Sequence, residues 1–441
     1  MAANSRFTAL ERKFKNKTAR IGIVGLGYVG LPLAVEFAQA GFRVLGIDVD
    51  EKKVRSVNSG VSHIEDVATK TLKPLVRRRL IRAQSDYRDC GALDAILIAV
   101  PTPLRKTKDP DISYIVASLD AIAPQLRAGQ LIVLESTTYP GTTDEVLRPV
   151  LESGGLRVGR DIFLAFSPER VDPGNKQFHT SNTPKVVGGS TPLCTRAATL
   201  LYGQAIAHVH PVTSTQSAEM IKLLENTFRA VNIGLVNEIA LMCEKLGLDV
   251  WEVIDGAATK PFGFMRFYPG PGIGGHCIPL DPHYLAWKLR TLNYSARFIE
   301  LASEINGHMP EVVVRRATAI LNGAKKSVKG SKILVLGVAY KKDTSDTRES
   351  PALDVIRLLQ EDGAVVSFHD PYSNAIREED GRIAKGVALT AKNLKAADLV
   401  VIITDHSEYD YGAIVKNARR ILDTRNATRD VRSGRDKIVK L

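Results

Sequence analysis

Residues 20–49 read as a strand, a glycine-rich turn, a helix and a second strand, and this pattern constrains the fold more than any other. The turn is Gly25-Leu26-Gly27-Tyr28-Val29-Gly30, and Asp48 closes the second strand. The strands are the apolar runs 19–24 and 42–47, and the helix is the run 31–40. Short apolar strands that alternate with helices are typical of parallel, doubly wound sheets, so we predict an α/β fold.

Three further apolar runs, at 92–100, 131–135 and 162–166, continue the alternation. Residues 213–246 then form one proline-free stretch with helical apolar spacing. A helix of about 30 residues would be on the order of 45 Å long, which is typical of a helix that spans domains or forms a subunit interface.

The α/β pattern restarts at residue 332 and echoes the first region. The segment 334–337 resembles the end of the first strand and the glycine that follows it, and Asp370 corresponds to Asp48. We therefore predict two Rossmann-like doubly wound domains joined by a long central helix and a helical middle domain. The boundaries are placed at 1–210, 211–310 and 320–441.

Composition excludes several classes of protein. The N-terminus has no apolar segment and no run approaches the roughly 18 apolar residues of a membrane span, so neither a signal peptide nor a membrane partner is predicted. The four cysteines, at 90, 194, 243 and 277, lack CxxC spacing, which argues against a metal site or a disulfide framework and favours the cytoplasm. The net charge of +12 lies in short basic groups without interleaved aromatics. We expect no nucleic-acid partner, whereas a small polyanionic ligand would suit this charge.

The glycine turn has the spacing and the context of a dinucleotide-binding fingerprint. Gly25 would make the tight turn, Gly27 would let a pyrophosphate approach the backbone, and Gly30 would let the helix pack closely. The N–H groups at the start of the helix would face the phosphates. Asp48 would accept hydrogen bonds from a ribose 2′-OH and repel a 2′-phosphate, so the predicted cofactor is NAD rather than NADP.

A second segment, 269–282, places Cys277 in a loop rich in Gly and Pro. A thiol is a nucleophile only as a thiolate, which polar, exposed surroundings favour, and His276 and Asp281 lie nearby in sequence. The same pattern also fits a buried thiol in a glycine-rich turn. Asp281 before Pro282 also suits a helix N-cap.

Other polar residues could complete a site around this thiol. Lys222 and Asn226 are one turn apart on the predicted long helix, so both can face one cleft. Glu169 follows a strand and could point into the same cleft. Each of the three also fits an ordinary role, as a solvated side chain or a local hydrogen-bonding group.

The chain resembles the UDP-glucose/GDP-mannose dehydrogenase family from Ile21 to about Asn426. The segments that carry the resemblance are, in order, 25–30, 100–103, 135–137, 167–170, 219–226, 274–277 and 341–350. The resemblance implies that a UDP-sugar is oxidised twice at C6, from alcohol to carboxylate, with NAD as the oxidant.

The family's functional residues are carried over onto matching positions of this chain. Catalytic roles are implied for Cys277, Lys222, Asp281, Glu169, Asn226 and Thr137. Cofactor contacts are implied for Gly25, Gly27, Tyr28, Val29, Gly30, Asp48, Thr102, Ser136, Thr137 and Arg348. Substrate contacts are implied for Glu169, Arg170, Lys222, Asn226, Phe267, Tyr268, Gly272, Gly274, Tyr340 and Lys341.

Two departures from the UDP-glucose branch bear on the sugar. That branch typically carries Gly-Gly-Ser-Cys-Phe-Pro-Lys-Asp, whereas this chain has His276 for the serine and Leu280 for the lysine. Segments 167–175 and 267–272 resemble the branch that acts on UDP-N-acetylhexosamines, and most of all its UDP-N-acetylglucosamine-oxidising members from bacterial surface-polysaccharide pathways. UDP-glucose and the manno and galacto N-acetyl sugars are the alternatives.

Competing functions share parts of this pattern. A two-electron UDP-hexose dehydrogenase or a β-hydroxyacid dehydrogenase of the 6-phosphogluconate type would have the same layout without needing the cysteine. A non-enzymatic NAD-sensing or scaffolding protein would turn over no nucleotide sugar. We expect a homodimer or higher homo-oligomer, assembled through the long helix.

Overall fold

The computed structural model describes residues 2–105, 109–172, 175, 177–275, 277–378 and 381–441. The chain divides into two compact units. The first unit runs to Glu225 and includes His283–Tyr294, and the second contains Asn226–Pro282 and Ser295–Leu441. Each unit contains a mainly parallel sheet, which confirms the predicted α/β class.

The first unit contains seven helices and eight strands before residue 213, counting the described residues and leaving short 3₁₀ and π turns aside. In chain order they are α1 (Ala2–Lys15), β1 (Arg20–Val24), α2 (Gly30–Gln39), β2 (Arg43–Ile47), α3 (Glu51–Asn58), α4 (Thr69–Arg77), β3 (Ile81–Gln84), β4 (Ala95–Ile98), α5 (Ser113–Ile122), β5 (Leu131–Leu134), α6 (Arg148–Glu152), β6 (Phe163–Phe166), β7 (Lys185–Gly189), α7 (Pro192–Tyr202) and β8 (Val209–Val212).

The strands of the first unit form one sheet in the order β3-β2-β1-β4-β5-β6-β7-β8, and among these described strands only the β6–β7 pair is antiparallel. Strands β4, β5 and β6 are buried along their whole length, as a parallel sheet covered on both faces requires. The order reverses between β1 and β4. In such sheets ligands bind outside the carboxyl ends of the strands at this switch point. The glycine turn follows β1 there, and residues 99–103 follow β4.

Four helices lie in the described residues of the middle of the chain. They are α8 (Thr215–Leu246), α9 (Val250–Ala257), α10 (Asp281–Arg290) and α11 (Arg297–Gly323). The predicted long helix is present as α8, which has 32 residues. The helix α11, which has 27 residues, was not predicted, because Pro310 interrupts its pattern.

The remaining elements of the second unit are β9 (Lys332–Leu336), α12 (Pro351–Glu361), β10 (Val365–His369), β11 (Ala375–Arg377), β12 (Ile383–Lys385), α13 (Ala391–Ala396), β13 (Leu399–Ile402), α14 (Tyr411–Asn417), β14 (Ile421–Asp423) and β15 (Ile438–Lys440). Its described residues form a five-stranded parallel sheet in the order β10-β9-β13-β14-β15 and a two-stranded antiparallel sheet of β11 and β12. Within the described part of the chain, no helix has both the length and the apolar character of a membrane span.

Candidate active site

The turn after β1 has a backbone geometry that accounts for each of its three glycines. Gly25 has φ +91° and would place a Cβ 2.4 Å from the carbonyl oxygen of Ala99, so no other residue fits there without strain. A Cβ on Gly30 would lie 1.8 Å from the carbonyl oxygen of Gly25, which shows how closely α2 approaches the strand end. A Cβ on Gly27 would meet nothing within 4 Å. The backbone at Gly27 is therefore open to a phosphate group.

Asp48 lies at the end of β2 with its carboxylate held beside this turn. Its Oδ2 accepts hydrogen bonds from Leu26 N at 2.8 Å and from Lys53 Nζ at 3.2 Å, and its Oδ1 accepts one from Asp50 N at 2.9 Å. A carboxylate oxygen has two acceptor directions, so Oδ1 keeps one for a ribose hydroxyl. This arrangement fits NAD.

The loops after β4 and β5 carry three of the predicted cofactor residues. The Ser136 hydroxyl donates to Val100 O at 2.7 Å, so towards a ligand its oxygen acts as an acceptor. The Thr102 carbonyl accepts a hydrogen bond from the Tyr284 hydroxyl. Thr137 is partly exposed. The structure thus places all three at the carboxyl edge of the sheet, where the glycine turn also lies.

Glu169, which follows β6, is fixed by three donors. Its Oε1 accepts hydrogen bonds from the backbone N–H groups of Arg170 and Val171, each at 2.8 Å, and its Oε2 lies 3.4 Å from Lys185 Nζ. Burial by itself would raise the pKa of Glu169, but Lys185 and the two N–H groups hold that pKa below its usual value. The carboxylate is therefore ionised at neutral pH.

Lys185, the first residue of β7, is buried and bridges two carboxylates. Its Nζ lies 2.7 Å from Glu135 Oε2, and the other oxygen of Glu135 accepts a hydrogen bond from the Tyr202 hydroxyl. Burial would lower the pKa of Lys185, but Glu135 and Glu169 raise it, so the ammonium stays charged. Burial and the neighbouring Glu135 raise the pKa of Tyr202, which stays neutral and donates. Sequence reasoning missed this network. The signal that could have indicated it is Glu135, a charged residue directly before Ser136 at the end of an apolar strand.

Helix α8 presents Lys222 in the first unit. Lys222 is 9% exposed. Its positive charge also lowers the pKa of Glu169, but its effect on that pKa is smaller than the effects of burial, of Lys185 and of the two backbone N–H groups. The predicted substrate residue Arg170 forms an ion pair with Glu225 and donates to Pro184 O at 2.7 Å. The structure thus brings Lys222, Glu169 and Arg170 into one neighbourhood.

A buried carboxylate on the same helix anchors its first turns. Glu219 Oε1 accepts hydrogen bonds from Thr143 N at 2.9 Å and Thr143 Oγ1 at 2.7 Å, and Oε2 accepts one from Gly141 N at 2.6 Å. Because Glu219 is one turn before Lys222, these contacts to the loop after β5 set the position of Lys222.

In the second unit, Cys277 stands four residues before the start of α10. Its carbonyl accepts hydrogen bonds from Leu280 N at 3.1 Å and Asp281 N at 2.8 Å, so the chain already turns helically at the cysteine. Cys277 is partly exposed, whereas Cys90, Cys194 and Cys243 are buried. Of the four cysteines, Cys277 is therefore the one that is partly accessible at the protein surface.

The glycines before Cys277 let the loop pack against the segment after β9. Gly275 has φ +84°, and a Cβ there would lie 2.8 Å from the Tyr340 ring. A Cβ on Gly274 would lie 2.6 Å from the Tyr340 Cβ, and Gly275 N donates to Arg348 O at 3.1 Å. Tyr340 and Arg348, both predicted ligand contacts, thus lie against the cysteine loop. Gly272 has φ +135° in the same loop.

Asn226 and Asp281, for each of which the family resemblance implies a catalytic role, meet in the second unit. The Asn226 side-chain amide donates to Asp281 Oδ2. Asp281 is the first residue of α10 rather than the N-cap before it, and the residue is 3% exposed. The amide therefore orients this buried carboxylate from the neighbouring helix α8.

A buried chain of amides fixes the start of the cysteine loop, and sequence reasoning did not find it. Gly270 N donates to Asn237 Oδ1 at 2.9 Å, Asn237 Nδ2 donates to Asn306 Oδ1 at 2.8 Å, and Asn306 Nδ2 donates to Ala230 O at 3.1 Å. The loop is thereby tied to α8 and α11.

The other predicted ligand residues of the second unit have contacts of their own. Arg348 makes a bidentate pair with Asp346, at 2.9 Å and 2.6 Å. The Tyr268 hydroxyl donates to Asp255 on α9, and Phe267 stacks edge-on against Phe228. Lys341 lies directly after Tyr340 and is partly exposed.

Some predictions fall on residues that the structure does not describe. His276, which distinguishes the cysteine loop from that of the UDP-glucose branch, lies outside the described residues, as do Pro173 and Gly174 of segment 167–175. Among the described side chains, no group of three His, Cys, Asp or Glu could hold a metal ion.

Comparison with known families matches three consecutive parts of the chain. Residues 19–206 match the NAD-binding domain of the UDP-glucose/GDP-mannose dehydrogenase family, residues 216–308 its central domain and residues 334–430 its UDP-binding domain. The prediction of NAD is thereby confirmed.

Individual relatives agree with this match. The chain is 34% identical over 396 residues to a UDP-N-acetyl-D-glucosamine 6-dehydrogenase of Pseudomonas aeruginosa, covering 89% of this chain and 92% of the relative. It is 35% identical over 417 residues to a UDP-N-acetyl-D-mannosamine dehydrogenase of Pyrococcus horikoshii, covering 93% and 96%. A solved structure of UDP-D-ManNAc dehydrogenase from the latter organism superposes with a TM-score of 0.86 at 34% identity, covering 96% of this chain and 98% of that one. The chain is an NAD-dependent oxidoreductase and belongs to the UDP-glucose/GDP-mannose dehydrogenase family.

Proposed function

We propose that this enzyme oxidises the C6 hydroxyl of a UDP-N-acetylhexosamine to a carboxylate through a covalent intermediate on Cys277. The observation that carries the proposal is the setting of Cys277: a partly exposed thiol at the start of a helical turn, in a glycine loop packed on Tyr340. A thiol is needed because covalent capture keeps a reactive aldehyde on the enzyme between two oxidations. The product would supply surface-polysaccharide synthesis, and a catalytic thiol suits the reducing cytoplasm.

The first oxidation requires removal of a proton from the C6 alcohol. The glycine turn and Asp48 would hold NAD, and when bound NAD would supply the hydride acceptor for both oxidations at C6. Lys222, with Asp281 and a water, would take the hydroxyl proton and stabilise the developing oxyanion. The hydrogen bond from Asn226 keeps Asp281 in the orientation that this role needs.

The second oxidation would proceed on the enzyme. The Cys277 thiolate attacks the aldehyde carbon, and the oxygen takes a proton to give a thiohemiacetal. Loss of that proton and of a second hydride gives a thioester, which a water hydrolyses to the carboxylate and the thiol. Glu169, which is ionised, would act as base and then return the proton as acid in these steps, with Thr137 holding the water. The ionised state of Glu169 suits the base that activates water.

The favoured sugar is N-acetylglucosamine, on the basis of segments 167–175 and 267–272. N-acetylmannosamine is the second candidate, because the chain is equally similar to enzymes that carry that name. Both sugars bear the same 2-acetamido group and differ only in its stereochemistry, so both belong to the proposed substrate class.

A panel assay tests the proposal. NADH formation is measured with UDP-GlcNAc, UDP-ManNAc, UDP-GalNAc, UDP-glucose and GDP-mannose, and kcat/KM is expected to be highest for an N-acetyl sugar, UDP-GlcNAc foremost. Fastest turnover of UDP-glucose or GDP-mannose would refute the substrate class.

Serine variants test the thiol. Cys277→Ser should bind substrate and lose turnover, while Cys243→Ser, at a buried cysteine of α8, should keep it. Wild-type NADH production by Cys277→Ser would refute the covalent route.

We further propose that two copies of the chain associate along α8. One side of the helix exposes large apolar side chains spaced by four and seven residues, which is the spacing of a helix–helix contact. They are Leu224, Phe228, Leu235, Met242 and Leu246, and they are between 46% and 71% exposed. Light scattering should give the mass of a dimer or higher oligomer, and the double variant Leu235→Glu/Met242→Glu should give a lower mass. A monomeric wild type would contradict this assembly.

A further inference from the structure

The first unit has a cavity at the edge of its sheet opposite to the glycine turn. It has a volume of about 500 Å³ and opens at the amino ends of β1, β2 and β3. Five arginines and one carboxylate line it: Arg20, Arg43, Arg78, Arg79, Arg82 and Asp89. None of these residues has a part in the proposed oxidation.

The strand register forces two of these arginines together. Arg20 and Arg43 are the first residues of β1 and β2 and are directly paired across the two parallel strands. Neighbouring strands lie about 4.8 Å apart, and like charges opposite each other destabilise a sheet. Two cations at this register position therefore cost stability unless an anion lies between them.

Among the residues that the structure describes, Asp89 is the one carboxylate in the lining of this cavity. Arg82 forms an ion pair with Asp89 at 2.7 Å. The guanidinium groups of the other four arginines have no carboxylate within 4 Å among the residues that the structure describes. The nearby Asp94, to which Arg20 N donates a hydrogen bond, is already paired with Lys13 at 2.6 Å and Arg127 at 2.8 Å.

We propose that this cavity binds a small anion with two or more phosphate groups, such as the phosphate chain of a nucleotide. Guanidinium groups recognise phosphate oxygens through paired, charge-assisted hydrogen bonds. A cavity of this size suits a small molecule, and Val44, Leu45 and Leu93 in its lining give an apolar surface beside the cations. The site is separate from the NAD site, since the five residues of β1, on the order of 15 Å, lie between the two edges of the sheet.

Calorimetric titration of inorganic triphosphate into the full-length enzyme tests the site. NAD and UDP are present at saturating concentration, so that both nucleotide sites are already filled. One binding event with a Kd below about 1 mM is expected. The affinity should fall by roughly tenfold or more in Arg43→Gln/Arg79→Gln, because both residues lose charged donors.

A matched control separates a built site from the overall charge. Arg12→Gln/Arg432→Gln removes two positive charges at exposed positions outside the cavity and should leave the affinity unchanged. No binding in the wild type, or an equal loss in both double variants, would overturn the proposal. Thermal melting of both variants verifies that they are folded.

Discussion

Replacing Lys185 by methionine would remove the cation that two carboxylates share inside the first unit. Lys185 has a side chain 4% exposed, and its partners Glu135 and Glu169 are 0% and 15% exposed. Breaking a buried ion pair by removing one partner costs about 3–5 kcal/mol, because the remaining charge is left without compensation. Each kcal/mol lowers Tm by about 2–4 °C in a unit of this size, so Lys185→Met should lower the melting temperature by roughly 6–20 °C.

The same substitution should change the pH dependence of turnover if Glu169 acts as a base. Burial raises the pKa of Glu169, and Lys185 is the strongest of the groups that lower it. Without Lys185 the pKa of Glu169 should rise, so the carboxyl group would stay protonated up to a higher pH. The acidic limb of the kcat profile should therefore move to higher pH.

The unfolding of the first unit can be followed by itself. The chain has two tryptophans. Trp287 lies in the first unit, with its ring centroid 4.9 Å from that of the tilted Tyr139 ring, and Trp251 lies in the second. In a Trp251→Phe background, fluorescence reports on the first unit alone.

Two controls decide the interpretation. Lys13→Met breaks the pair with Asp94, but Lys13 is 44% exposed, so the cost should stay below about 1 kcal/mol. Lys185→Arg keeps the charge and should recover part of the stability and return the pH profile towards that of the wild type. Equal destabilisation by Lys13→Met and Lys185→Met, or a pH profile that Lys185→Met leaves in place, would refute the reasoning.

Three further predictions concern single residues. Gly30→Ala should weaken NAD binding, measured as a rise in KM, because its Cβ would lie 1.8 Å from the Gly25 carbonyl oxygen and α2 must move; an unchanged KM would contradict this. Asp48→Ala should reduce the preference for NAD over NADP, measured as the ratio of kcat/KM values, because the charge that repels a 2′-phosphate is gone. In the second unit, burial would raise the pKa of Asp370, but hydrogen bonds from His406 and backbone N–H groups bring that pKa down to about 2. The ionised carboxylate thus stabilises the folded state fully at pH values above its pKa in the unfolded chain, and this stabilisation is lost as the pH falls towards 2. Asp370→Asn should therefore lower the free energy of unfolding, measured with urea, by about 2.5 kcal/mol at pH 7 and by about half of that at pH 3.

The features that could be predicted from sequence are those that depend on local pattern. The glycine turn, Asp48 and the long helix α8 each have spacing that few other structures allow, and the structure contains all three. Asp370 was predicted to echo Asp48, and it does so structurally: its Oδ2 accepts hydrogen bonds from Val338 N and Ala339 N in the turn after β9, as Asp48 accepts one from Leu26 N.

The features that could not be predicted depend on contacts between distant segments. Lys185 at the start of a strand looks like a solvated residue, and its burial becomes visible only once β7 pairs antiparallel with β6 and brings it to Glu169. The amides of Asn237 and Asn306 are 69 residues apart and meet because α8 and α11 pack together. Neither pairing leaves a signal in the local sequence.

The stoichiometry of the reaction tests the central claim most directly. A limiting amount of the UDP-N-acetylhexosamine that is turned over fastest is converted to completion with excess NAD, and NADH and the sugar product are measured together. We predict two NADH for each sugar and a C6 carboxylate, with no aldehyde released. One NADH for each sugar with an aldehyde as the product would contradict the account, because no second oxidation on Cys277 would then have occurred.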